Sequence, residues 1–118
     1  MKPSEFIKDA LRTDGTLNDK GDRRIEHAIM GLVTEAGELT DALKRYKFYK
    51  QKLDRVNLIE EAGDIMWYLA ILCDELGVSF ETVWEKTIRK LKTRYPEKYT
   101  HKNAKIRNLQ KERKELEK

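Results

Sequence analysis

The chain has 118 residues, enough for one domain of ordinary size with a core of its own. Charged residues make up 39% of it and Gly and Pro are few, which argues for long solvated helices and against a β-rich fold. The net charge of +4 does not describe a nucleic-acid-reading surface: residues 101–118 carry seven Lys/Arg and three Glu, and the rest balances at eighteen of each sign. A single cysteine, Cys73, excludes an internal disulfide and suits a reducing compartment. The start, Met1-Lys2-Pro3-Ser4-Glu5, has no apolar signal-peptide region, and no stretch approaches the roughly 18 apolar residues of a membrane span. A cytoplasmic protein is expected.

In chain order, Ser4–Arg12 predicts a short amphipathic helix, with Ser4 as N-cap and Phe6, Ile7, Ala10 and Leu11 on its apolar side. Thr13-Asp14-Gly15 and the polar run to Gly21 read as a loop. From Asp22, apolar residues at steps of three and four (Ile25, Ala28, Ile29, Leu32, Ala36, Leu39, Tyr46) predict one long helix to about residue 47. Residues 48–56 break the period and carry Lys50, Lys52 and Arg55, so they read as a loop, either leaning toward phosphates or simply solvated. Asn57 and Glu60 have the spacing of a capping box for a third helix, which runs to Leu76 and is stopped by Gly77. That helix is apolar beyond one face, as a central helix packed on two sides would be. Ser79 caps a fourth helix over 80–94, ended by Tyr95-Pro96. The tail from Asn103 is helix-prone, either docked or frayed.

One pattern occurs twice within these helices. Glu35-Ala36-Gly37-Glu38 returns as Glu61-Ala62-Gly63-Asp64, 26 positions later. Residues three apart on a helix share a face, so each copy aims two carboxylates one way, close to the core seam. Four carboxylates converging there would repel strongly unless a cation sits among them. Mg²⁺, a hard cation with oxygen ligands and room for waters and phosphates, is the expected one, with Mn²⁺ as a substitute. Glu35 lies about nine residues farther from the intervening loop than Glu61, an offset of roughly 13 Å. The pairs meet only if the loop runs back along the bundle.

Other candidates have two readings each. His27 lies two turns above Glu35, roughly 11–12 Å away and about the length of a nucleotide, or is only a helix-face histidine. Tyr68, four residues after Asp64, either stacks on a base or points its hydroxyl at the rim. Thr87, Lys90 and Arg94 form one stripe; Lys90 and Arg94 are phosphate donors or part of a solvated basic face, and spacing alone favours the latter. Gly31 and Gly37 each cost a helix about 1 kcal/mol relative to Ala, which close approach of another helix or a ligand would explain.

The segment His27–Thr100 resembles the MazG-type all-α nucleoside triphosphate pyrophosphohydrolases, especially small phage and bacterial forms. The resemblance rests on Gly31-Leu32-Val33-Thr34-Glu35-Ala36-Gly37-Glu38-Leu39, on Asn57 through Leu69 around Glu61-Ala62-Gly63-Asp64, and on Lys90-Leu91-Lys92-Thr93-Arg94-Tyr95-Pro96. It implies an all-α helical bundle with two antiparallel acidic core helices, completed by dimerisation as a homodimer or homotetramer. It implies Mg²⁺-dependent hydrolysis of (deoxy)nucleoside triphosphates to monophosphate and pyrophosphate. By position, Glu35, Glu38, Glu61 and Asp64 become metal ligands, Lys90 and Arg94 phosphate contacts, and Tyr68 part of the base pocket; His27 and Thr87 complete the expected substrate contacts. Family members often have Asn where this chain has Thr87, which leaves that contact and base selectivity open.

The expected division is a hydrolase domain over 1–100 and a basic helical tail over 101–118. The expected chemistry is attack of a metal-activated water on the α-phosphorus, with Glu35 or Glu38 as general base. Two other readings stay open: a regulator that binds nucleotides or alarmones without hydrolysing them, and a helical interaction module whose basic tail binds nucleic acid.

Overall fold

The computed structural model describes residues 1–19 and 21–118. Among them there are six helices and no strand: α1 (Pro3–Leu11), α2 (Asp22–Phe48), α3 (Arg55–Glu75), α4 (Phe80–Arg94), α5 (His101–Lys105) and α6 (Leu109–Glu117). They form two compact units, residues 1–78 and 79–118. The expected all-α class is what the chain adopts.

In the first unit α3 packs on both α2 and α1, the two-sided burial its apolar surface predicts. Its partner α2 runs antiparallel to it. The start of α2 meets the end of α3 through Arg24 and Asp74, and the middles meet where Tyr68 lies on Gly31. At the seam Gly31 of α2 leaves room for the Tyr68 ring of α3, and Ala28, Ala42, Ala70, Ile71 and Cys73 are buried in this unit. A residue without a side chain lets the two helices approach, and the acids they carry come close as well. Burial raises the Cys73 thiol pKa, as suits a packing residue with no chemical task.

The offset between the acidic pairs is absorbed as the spacing requires. Helix α2 continues to Phe48, past the start of α3, and residues 49–54 fold back along its last turns. The Gln51 N–H donates to the Arg45 carbonyl (3.3 Å), and Asp54 comes to the same small cavity as Ala42.

Helix α3 begins earlier than its capping-box spacing suggests. Asp54 is the N-cap, and its carboxylate accepts the backbone N–H of Asn57 (3.1 Å). Asn57 is therefore inside the first turn and its side chain is available elsewhere. The other end closes as expected: Gly77 takes φ +66°, and the N–H groups of Gly77 and Val78 donate to the carbonyls of Asp74 and Cys73. Helix α1 starts at Pro3, one residue before the expected cap, where the Lys2 N–H donates to the Glu5 carboxylate (2.7 Å).

In the second unit Ser79 caps α4 by accepting the Thr82 N–H (3.1 Å). Helix α6 packs on α4. Two cations of α4 hold it there: Arg94 Nε donates to Glu112 (2.6 Å) and Lys86 Nζ to the Leu116 carbonyl (2.6 Å).

Candidate active site

Three of the four repeated carboxylates meet. Glu35 from α2 and Glu61 and Asp64 from α3 each offer a ligand oxygen, all within 4.8 Å of one another. Glu61 is buried, Glu35 half-buried and Asp64 exposed, so the cluster opens to solvent on one side. None of the three forms an ion pair with a Lys or Arg among the described residues. Burial raises the Glu35 pKa, helped by a hydrogen bond shared with Glu61 and by the charges of Asp64, Glu61 and Glu38. Glu38 lies one turn along α2, is exposed, and stays outside the cluster while adding to its field.

Asn57 is the residue that spacing missed. Its amide donates to Glu61 Oε1 (2.9 Å), which holds that carboxylate in one orientation. The pattern Asp54-x-x-Asn57 carried the signal: an acidic cap three residues upstream leaves Asn57 free to face the next turn. A buried carboxylate oriented by an amide, beside two others without a cation, is a donor set that fits a hard divalent ion.

His27 and Tyr68 come together in the same unit, with ring centroids 5.6 Å apart in an edge-on arrangement. The Tyr68 ring sits against Gly31, where a β-carbon would run into it; this explains that glycine by helix packing. The space beside Gly37 is open. Tyr68 also meets the edge of Trp67 (4.9 Å), whose indole N–H donates to the Thr13 hydroxyl (2.8 Å). His27 Nδ1 is buried and has no hydrogen-bond partner among the described residues.

Thr87, Lys90 and Arg94 lie on α4, in the second unit. Thr87 is exposed, and Lys90 is half-buried with no ion pair among the described residues. Arg94 is engaged: Glu112, itself buried, takes its Nε–H and also accepts from Arg107 (3.0 Å).

A second charged cluster was not anticipated. At the opposite end of the α2–α3 pair, the buried Arg24 bridges Asp14 (3.0 Å), Asp74 (2.6 Å) and Glu75 (3.2 Å). Asp14 also accepts the Thr16 hydroxyl (2.6 Å) and N–H (2.8 Å). Burial pushes the Asp14 pKa up, but the Thr16 and Arg24 hydrogen bonds outweigh it and hold the carboxyl below its ordinary value.

The chain matches the MazG nucleotide pyrophosphohydrolase domain over residues 23–99. It is 36% identical over 74 residues to the Gene 37 protein of Mycobacterium phage L5, covering 59% of this chain and 65% of that one. It is 37% identical over 73 residues to the uncharacterized protein YvdC of Bacillus subtilis (strain 168), covering 54% and 69%. The chain thus spans about two thirds of the length of the curated relatives it matches. No solved structure matches it. The matched stretch holds both acidic helices and all of α4, and the chain belongs to the family of MazG nucleotide pyrophosphohydrolase domains.

Proposed function

We propose that the chain hydrolyses (deoxy)nucleoside triphosphates to nucleoside monophosphate and pyrophosphate. The observation that carries this is the cluster of Glu35, Glu61 and Asp64, oxygens within 4.8 Å, from two helices of a nucleotide pyrophosphohydrolase domain. These three residues would hold the cation, Mg²⁺ or Mn²⁺. Bound there, the ion would offset triphosphate charge and acidify a nearby water.

The chain's own side chains do the rest. Asn57 fixes Glu61, so less reordering is needed when substrate arrives. Glu38, exposed and outside the cluster, is the candidate to take the proton of the attacking water; Glu35 is the other. The water oxygen bonds to the α-phosphorus, the bond to the α–β bridging oxygen breaks, and pyrophosphate leaves. His27 and Tyr68, whose rings meet in the same unit as the acids, serve the base end. The apolar side chains left exposed on α2 and α3, among them Met30 and Val33 and Val56 and Ile59, support assembly into a homodimer or homotetramer. No helix among the described residues is long and apolar enough to cross a membrane, in keeping with a nucleotide substrate met in the cytoplasm.

The test is a product analysis. The protein is incubated with Mg²⁺ and each common NTP and dNTP, and the nucleotides are resolved by ion exchange. Monophosphate and pyrophosphate without a diphosphate intermediate, lost on chelation, is the expected result. A folded protein that turns over none of them would leave a nucleotide-binding role without hydrolysis.

A further inference from the structure

Within the second unit, an open groove of about 370 Å³ is lined by Arg89, Lys92 and Thr93 of α4, by Pro96, and by Lys111 and Glu115 of α6. None of these six belongs to the site described above. Three cations face one carboxylate, and that carboxylate is already held by Lys118 (2.7 Å). The other acid on this stretch of α6, Glu112, is buried between Arg94 and Arg107. Among the described residues Arg89 has a long ion pair, 4.0 Å to the exposed Glu85. Its Nε is buried with no hydrogen-bond partner among the described residues. Neither Lys92 nor Lys111 has a carboxylate within ion-pair distance among them.

Like charges gathered along one groove repel, even where water screens exposed groups such as Lys92 and Lys111. Here three cations of the lining face a single carboxylate, Glu115, whose charge Lys118 shares, so the lining carries a net positive charge of about two. A guanidinium and two ammonium groups suit phosphate oxygens. The volume falls within the range of roughly 300–1,000 Å³ typical of small-ligand sites. A nucleic-acid backbone would call for an extended basic stripe instead.

The geometry points to a second anion site, in which Arg89, Lys92 and Lys111 bind a small polyphosphate, either inorganic pyrophosphate or the polyphosphate arm of a nucleotide. The site needs no divalent cation, because its own side chains supply the positive charge.

Calorimetric titration of the full chain with inorganic pyrophosphate, in chelator and without divalent cations, tests this. The expected result is one pyrophosphate per chain. The double variant Lys92→Glu/Lys111→Glu should weaken it at least tenfold. A charge-matched control in the first unit, Lys8→Glu/Lys44→Glu, should stay within twofold of the parent protein. Circular dichroism and a thermal melt verify that each variant is folded. No binding, or binding that ignores the groove variant, or equal loss in the control, overturns the site. ATP binding more tightly than pyrophosphate, with loss in the groove variant, assigns a nucleotide; equal affinity assigns free polyphosphate. A twelve-residue oligothymidylate that binds the groove more tightly than either overturns the small-ligand assignment. Triphosphate turnover with Mg²⁺ is measured separately, so the groove can fail while the hydrolase reading stands, and the reverse.

Discussion

The two ends of the α2–α3 pair solve the same electrostatic problem in opposite ways. Each gathers three carboxylates from different parts of the first unit. At one end Asp14, Asp74 and Glu75 surround a buried guanidinium that the chain supplies itself, Arg24. At the other, Glu35, Glu61 and Asp64 face one another without a protein cation among the described residues. The first arrangement is complete on folding and is structural. The second leaves its repulsion for an outside cation to relieve, which is how a binding site differs from a clamp. Removing an acid should therefore have opposite consequences at the two ends.

The largest expected effect is on turnover. Glu61→Gln should lower it by more than the roughly 10–100-fold typical of residues that only orient a metal ligand, read in the product assay. In chelator the same variant should melt at or above the parent temperature, because a mutually repelling charge is gone and a side-chain oxygen remains to accept the Asn57 amide. A marked loss of melting temperature would show that the acidic end is a structural lock after all. Glu38→Gln should abolish turnover while leaving the melt unchanged; near-normal turnover would remove it from the chemistry.

At the clamp end the effect falls on stability. Arg24→Leu leaves Asp14 buried without its cation and should cost about 3–5 kcal/mol in urea unfolding. Asp14→Asn should destabilise too, the reverse of Glu61→Gln. Asp14 has a native pKa below its unfolded value of about 3.9, so its contribution is present at neutral pH and lost as pH falls through the native pKa. Acid unfolding should be less steep in Asp14→Asn than in the parent protein; an unchanged acid limb would mean Asp14 is not the group being titrated. The smallest effect expected is for Asn57→Ala: about 10–100-fold in turnover, with an unshifted melt in chelator.

The acidic end was legible because its signal is local. The repeat of Glu-Ala-Gly-Glu and Glu-Ala-Gly-Asp names the residues, helical periodicity gives their elements, and the chain offset calls for a loop that folds back, as residues 49–54 do. A helix face is not a contact, however: Glu35 and Glu38 share a face, but only Glu35 reaches the acids of α3. The clamp was not legible because its signal is distant. Arg24 at a helix start reads as a solvated cation until Asp74 and Glu75, some fifty residues on, are brought beside it. Asn57 has the sequence signature of a cap, because capping residues look alike in sequence; Asp54, three positions earlier, takes that task and leaves the amide for Glu61. The tail had two readings, and it docks on α4 through Glu112 and Leu116.

The loop that folds back over α2 has a consequence for how the chain tolerates change in length. The register of α2 against α3 is held elsewhere, by Arg24 at one end and by Tyr68 on Gly31 in the middle. Lys50 already sits at φ +55° in an exposed turn, outside the helices. Residues inserted beside it would lengthen a surface excursion without sliding one acidic helix past the other. Since each doubling of a flexible loop costs only about 0.6 kcal/mol, this connection is the natural place for a reporter peptide or an affinity tag.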